Sequence, residues 1–381
     1  MEGSSYEDEV DDWFIESINL YTDLHLFELQ GPTQVIEWTG EKSICVAGYG
    51  SSKRNEILEL ALPQKLYAKE NRGLCPERDF KVEHGGFSDT PIHCLKHVLG
   101  TRSVVTSGPP ESPLQIWRIG GDDSDVIKRT ACIEASTGSR SQRKVAPSLS
   151  GKPCVLHASQ VNDTALTDLE SHRSLYSVDT DCADRVSGLE FVSADEFVVC
   201  SDRGHLWLCD VRDPAGLQSV ASPEQEGLQW CMGLKKRHVH TDPAACAVAR
   251  LSSACQVLVT DLRSPRSPLC QAKMTIHQDA PCLDFMTVTW APALDQCVAV
   301  SGFNGAVHIY DTQSWGPAAT EAEPLFIHKG HRMSHDPDRD RDSVVVTTHV
   351  WHPWKPRTVL SAATNGSLHV WDWADQTAVH R

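Results

Sequence analysis

Residues 343–373, SVVVTTHVWHPWKPRTVLSAATNGSLHVWDW, constrain the fold more than any other stretch of the chain. Two runs rich in β-branched residues, 344–351 and 358–363, precede a third, 367–371, in which Leu368 and Val370 alternate with His369. A period of two bounded by turn residues is the mark of strands. Asn365-Gly366, between the second and third runs, is the pair a tight hairpin turn favours, because both central residues need positive φ. The stretch reads as one small antiparallel sheet, entered after Gly330-His331 and closed by Trp371-Asp372.

The pattern recurs with graded fidelity. Residues 300–311, VSGFNGAVHIYD, keep Asn304-Gly305 in the turn and place Tyr310 where Trp371 stands. Residues 200–210, CSDRGHLWLCD, end on Cys209-Asp210, and 115–118 keep Trp117 but lose the acid. Weaker echoes are VLVTD at 257–261, ALTD at 165–168 and ILEL at 57–60. With the terminal unit these make seven endings, near 60, 117, 168, 210, 261, 311 and 372. Gaps of roughly 40 to 60 residues suit propeller repeats that carry loop insertions. The Gly-His…Trp-Asp frame resembles the WD40-repeat family, in which four strands make one blade. The expected fold is all-β, a seven-bladed WD40 β-propeller spanning 13–373 as one domain.

A blade's outermost strand follows its Trp-Asp, yet only nine residues remain after Asp372, and 374–381 has no strand pattern. The missing strand is expected from 23–30, DLHLFELQ, where Leu24, Leu26 and Glu28 alternate with His25, Phe27 and Leu29. Pairing it with the last hairpin would close the ring and remove two open sheet edges. Ahead of it a short helix is expected over about 12–22, capped by Asp11 or Asp12, with Trp13, Ser17, Leu20 and Leu24 along one side. That side packs on the propeller or meets a partner. Residues 1–12 carry six acids and read as a disordered tail running into the helix, and 374–381 reads as a polar tail.

Against 35 basic residues stand 51 acidic ones, a net charge of −16. This argues against direct nucleic-acid binding or attachment to anionic membranes, both of which use basic surfaces. The basic clusters are Lys235-Lys236-Arg237-His238 and 140–144, and solvated loops are the simpler reading of both. With no secretory signal and no apolar run of membrane-spanning length, membrane insertion is not expected and the compartment is the cytosol, with the nucleus open. Fourteen scattered cysteines, without a Cys-x-x-Cys, fit a reducing compartment. Cys45, Cys200, Cys209 and Cys297 fall in expected strands as small buried hydrophobes. The insertion 62–90 carries Phe80 and Phe87 and is expected on a rim surface; 120–152 and 212–243 read as inter-blade loops.

His328, His331 and His335 stand at i, i+3 and i+7, a spacing that on a helix would gather three imidazoles. His331 is better used in the Gly-His frame, bridging Ser361, the turn residue Asn365 and the indole N–H of Trp371. His277, Ser301, Asn304 and Tyr310 are expected to repeat the constellation. Gly48-Tyr49-Gly50 lacks the further glycine or Gly-Lys-Ser/Thr of a phosphate loop, and neither a nucleophile elbow nor a His-Glu-x-x-His helix occurs. No cofactor, metal or catalytic residue is expected.

Several stretches go beyond generic repeat text: DDWFIESINLYTDLHLFEL, RNEILELALP, PERDFKVEHGGFSD, SDVIK, WAPALDQCVAVSGFNGAVHIYD and the terminal TTHVWHPWKPRTVLSAATNGSLHVWDW. In them the chain resembles one branch of the WD40-repeat family over nearly its whole length, with 130–280 matching poorly. The resemblance implies a non-enzymatic scaffold, mainly cytoplasmic and associated with spindle poles and microtubules in mitosis. It also implies a role in assembling the endonuclease module of the Integrator complex. There it would hold the paired metallo-β-lactamase-type subunits, jointly with the BRCA1-associated ATM activator, before nuclear import. It transfers no contact residues. Trp13, Phe14, Phe80, Phe87, Lys235, Lys236 and Arg237 are the candidate contacts read from the chain itself. The expected function is a protein-binding assembly chaperone or adaptor; the alternative is a microtubule- or spindle-associated scaffold, which would need Lys235–Arg237 to meet acidic tubulin.

Overall fold

The computed structural model describes residues 13–29, 31–48, 55–63, 79–121, 124–134, 141–221, 227–235, 246–265, 267–277, 283–333 and 344–374, Phe14 excepted. The expected tails at 1–12 and beyond 374, together with Phe14, Lys236, Arg237 and His335, lie outside these residues.

Among the described residues the strands form seven antiparallel blades. Blade 1 comprises Val35–Trp38, Ser43–Ala47, Asn55–Ala61 and Lys81–Ser88; blade 2 comprises Cys94–Val98, Ser103–Ser107, Leu114–Gly121 and Ser124–Ile133. Blade 3 is Lys144–Pro147, Cys154–Ala158, Ala165–Asp168 and Ser174–Ser177; blade 4 is Val186–Phe191, Glu196–Ser201, Leu206–Asp210 and Asp213–Ala221. Blade 5 is Trp230–Leu234, Ala247–Ser252, Gln256–Asp261 and Cys270–Met274, extended by a parallel strand Thr320–Ala322. Blade 6 is Thr287–Trp290, Cys297–Ser301, Val307–Asp311 and Phe326–His328. Blade 7 is Val346–Trp351, Thr358–Ala363 and Ser367–Trp373, completed by Tyr21–Glu28. The innermost strands touch in cyclic order, from blade 1 through blade 7 and back to blade 1. All seven expected endings fall in third strands.

Each blade is covered on both faces by its neighbours, so middle strands are apolar without strict alternation. SICVA, EFVVCS and TVLSAA are buried at nearly every position. Seven hydrophobic clusters result, one per blade interface. Ile36, Ile44 and Leu60 meet Leu360, Leu368 and Val370 between blades 1 and 7, for example. Cys45, Cys200, Cys209 and Cys297 are buried free thiols within these clusters' strands.

The closing strand pairs antiparallel with the last strand, Leu24 opposite Trp371, Leu26 opposite His369 and Glu28 opposite Ser367. It begins two residues earlier than its pattern suggested, and the helix is correspondingly shorter, its helical residues being 13 and 15–20. An irregularity between Tyr21 and Asp23 lets Tyr21 and Leu24 both pack toward blade 6, while Phe27 and Leu29 pack toward blade 1.

Residues 120–152 and 212–243, polar enough to read as loops, contain strands. Ser124–Ile133 and Asp213–Ala221 are the outermost strands of blades 2 and 4, and Trp230–Leu234 is the innermost of blade 5. Rim strands have few buried side chains, so their text is polar; in Ser124–Ile133 Ile127 alone is fully buried. At the rim, blades 1 and 2 join through a parallel contact of Gly85 with Val126. Beneath it the fully buried Glu59 carboxylate accepts from Thr39 Oγ1 at 2.8 Å, His84 Nδ1 at 2.7 Å and both terminal nitrogens of Arg102 at 3.2 and 2.9 Å. Burial alone would raise this carboxyl, but those hydrogen bonds and the Arg102 charge hold it below its ordinary value. Gly86 permits the junction, since an added Cβ would sit 2.5 Å from the Ile127 carbonyl oxygen. Gly86→Ala is therefore expected to cost about 1–3 kcal/mol. Thermal unfolding together with faster amide exchange at Ile127 checks this; an unchanged melt would refute it.

Candidate protein-interaction surface

The surface is positioned by a buried polar network at the ring closure. Trp371 Nε1–H donates to Ser361 Oγ at 3.0 Å, and Ser361 Oγ lies 2.8 Å from His331 Nε2. On the other side His331 Nδ1 lies 2.6 Å from Ser367 Oγ, which donates to Asn365 Oδ1 at 2.6 Å. Because Ser367 spends its proton on Asn365, it accepts from His331 Nδ1–H, which leaves Nε2 to accept the Ser361 proton, so all donors run one way. Asn365 was expected to meet the ring directly; instead Ser367 stands between, and Asn365 Nδ2 donates to the His331 carbonyl at 2.9 Å. An amide side chain is too short to span both the turn and the ring, and Ser367 supplies the missing link. Gly330 must be glycine here, since a Cβ would come within 2.8 Å of His328 Cε1.

His328 extends the network to the N-terminus. Its Nδ1 is 2.8 Å from Tyr21 Oη and its Nε2 is 3.0 Å from His369 Nδ1. The His331 and His369 rings stack at 3.9 Å and 3°. Burial pushes the His369 imidazole down to about 3 and those of His328 and His331 well below their ordinary value, so all three are neutral. This trio does not form a metal centre. In-plane lone pairs of two parallel stacked rings cannot converge on one ion, and both His331 nitrogens are engaged. Sequence reasoning missed Tyr21, Ser367 and His369; the alternation around His369 was the one available hint.

The second constellation forms differently from its expectation. Ser301 Oγ is 2.7 Å from Nδ1 of His349, whose Nε2 is 2.7 Å from Thr289 Oγ1. His277 is exposed and is held through its carbonyl by Asn304 Nδ2 at 2.8 Å. The Tyr310 hydroxyl is buried without a hydrogen-bond partner among the described residues. Tyrosine offers no ring N–H beside its strand, so Ser301 turns to His349 of the next blade. That contact ties blade 6 to blade 7.

The candidate contacts fare unequally. Trp13, 7% exposed, is buried between blades 6 and 7 with its ring 6.5 Å from Tyr21, and so is not a contact. Phe80 is half-buried, edge-on to Phe27 at 4.6 Å. Phe87 lies on the outer strand of blade 1 and is 55% exposed. Lys235 holds its ammonium 5.4 Å above the Trp290 ring and 3.8 Å from Asp295, so it is committed locally rather than displayed. The helix that Trp13 and Ser17 anchor turns Ile15 and Ile18 outward, 64% and 77% exposed. Their i, i+3 spacing is legible in the sequence as the side opposite Trp13 and Ser17.

No protein-family model matches the chain. Integrator complex assembly factor WDR73 of Danio rerio is 51% identical over 369 residues, covering 97% of this chain and 98% of its own length. The Xenopus laevis protein of that name is 46% identical over 364 residues, 95% of this chain and 97% of its own. The Homo sapiens protein is 41% identical over 380 residues, 97% and 99%. The chain belongs to the WDR73 family. Its repeats have diverged while keeping one physical role. The tie between second and third strands that Ser361 and Trp371 make in blade 7 is made in blade 2 by Thr106 and Trp117, at 2.9 Å. Blade 3 uses His157 and Thr167 at 3.0 Å, and blade 5 uses Arg250 and Thr260 at 3.1 Å.

Proposed function

We propose that this chain is a non-catalytic protein-binding scaffold that assists assembly of the Integrator complex. The observation that carries this reading is its 41–51% identity, over nearly full length, to proteins named Integrator complex assembly factor. In its finer form, the ring holds the paired metallo-β-lactamase-type subunits of the endonuclease module together in the cytosol, jointly with the BRCA1-associated ATM activator. Surface complementarity is the mechanism. A ring closed by apolar blade interfaces is pre-formed, so docking orders few groups. Ile15 and Ile18 are apolar anchors beside Glu16, and the six acids of residues 1–12 precede them in sequence. Such a patch favours an apolar partner surface with a basic rim. The net charge of −16 keeps nucleic acid away from a nuclease held nearby. The spindle-associated alternative needs a displayed basic patch to meet acidic tubulin, and Lys235 is occupied by Trp290 and Asp295.

The double substitution Ile15→Asp with Ile18→Asp tests the surface. Because both side chains face solvent, stability is expected to change by no more than about 0.5 kcal/mol. Binding to purified, co-expressed Integrator endonuclease subunits is expected to weaken at least about tenfold. Wild-type capture that the substitutions leave unchanged would move the docking surface elsewhere on the ring; absence of wild-type capture would refute the assembly reading itself.

A further inference from the structure

Between blades 4 and 5 the guanidinium of Arg250 is sealed from solvent, 1% exposed. Its Nη1 donates to the Gly204 carbonyl at 2.7 Å and its Nη2 to Thr260 Oγ1 at 3.1 Å. Both acceptors are neutral, and among the described residues no carboxylate pairs with it. Among the described residues its Nε–H has no acceptor, and neither has the indole Nε1–H of Trp230, itself 2% exposed.

The two orphaned donors share one location. Trp230 stands opposite Ser252 and Met232 opposite Arg250, so Trp230, Ser252 and Arg250 project from the same face of blade 5. The Trp230 indole lies against Gly204, where an added Cβ would come 2.7 Å from its Cγ, and it is the Gly204 carbonyl that Arg250 holds. Ser252, fully buried, accepts from the Gln256 amide at 3.1 Å, which leaves its hydroxyl proton to donate. Three donors thus lie on one face of blade 5, one of them carried by a fixed positive charge.

We propose that this space binds a chloride ion, held by Arg250 Nε–H, Trp230 Nε1–H and Ser252 Oγ–H. Arginine cannot discharge itself by losing a proton, and a buried unpaired charge is strongly unfavourable. The nearby Cys200 thiol cannot serve as counter-ion, since burial pushes it up to about 11. A water molecule would satisfy the donors and leave the charge; a halide does both. The sealing of Arg250 and Trp230 excludes phosphate, carboxylate ligands and any side chain of a partner. The ion would fasten the Gly204 turn of blade 4 to the middle of blade 5.

The test uses the full chain, dialysed into sodium gluconate and titrated with sodium chloride at constant ionic strength. The thermal midpoint is expected to rise saturably by about 2–4 °C. Bromide is expected to give one anomalous-scattering peak beside Arg250 in crystals. Arg250→Met should abolish the chloride response. Trp230→Phe, which keeps the ring and removes the donor, and Ser252→Ala should each reduce it at least twofold, so a folded variant is available whatever Arg250→Met does. Identical melting in chloride and gluconate, or a response undiminished in Trp230→Phe and Ser252→Ala, would overturn the assignment.

Discussion

A chain lacking residues 1–29 is expected to lose most of its folding stability, with a loss on the order of 5 kcal/mol or more in urea unfolding. The deletion removes the outermost strand of blade 7 and leaves Ser367–Trp373 as an unpaired edge. It also removes Trp13 and Tyr21 from the interface of blades 6 and 7, and Phe27 and Leu29 from that of blades 7 and 1. Fully burying a large apolar side chain is worth about 1.5–3 kcal/mol, and with Trp13 and Tyr21 buried and Phe27 and Leu29 half-buried these four account for a loss of about the expected size. His328 would in addition lose the hydroxyl of Tyr21. Tyr21→Phe isolates that last term at about 1–3 kcal/mol, the cost of leaving one buried ring nitrogen unsatisfied. A truncated chain with the wild-type midpoint and slope would show that the ring does not depend on its N-terminal strand.

That strand was legible because strands come in fours: counting residues after Asp372 left blade 7 one short, and 23–30 had the required alternation. The Asn365-Gly366 turn and the His331, Ser361 and Trp371 contacts were legible for a similar reason, since local spacing carries them. What escaped was held together across the chain. Tyr21 meets His328 over a separation of 307 residues, and Ser301 meets His349 over 48. No periodicity encodes such pairs; closure of the ring creates them. Gly85 and Gly86 were visible as text within VEHGGFSD, but their meaning depends on Ile127 of the neighbouring blade. The exposed Ile15 and Ile18 show a different limit. An amphipathic pattern says that one side packs, and the side left outside is the one a partner can use.

Acidification is expected to unfold the protein far above the pH at which its carboxylates titrate. His328, His331, His349 and His369 are buried and neutral, His349 and His369 being pushed down by burial to about 3. In the unfolded chain each regains an ordinary value near 6.5. Below that pH the unfolded state binds protons that the folded state refuses, so stability is complete above about pH 6.5 and falls steadily as pH drops. Each of the four costs about 2 kcal/mol by pH 5, together about 8 kcal/mol. His157, His308 and His352, pushed by burial to about 4, act in the same direction. Asp23, raised to about 6 by burial and by Asp372, opposes them by about one proton. Asp168, Asp210 and Asp261 are held low by hydrogen bonds from Ser171, Arg212 and Arg263, and so add losses only below about pH 4. Urea unfolding at closely spaced pH values should therefore show stability falling between pH 6 and 5 with an uptake on the order of six protons, seven imidazoles less the one held by Asp23. His349→Gln should lower that uptake by about one, whatever it does to stability at pH 7. Stability that stays level from pH 7 to pH 5 would mean that these imidazoles titrate normally in the folded chain, and that the ring is not closed by a neutral network.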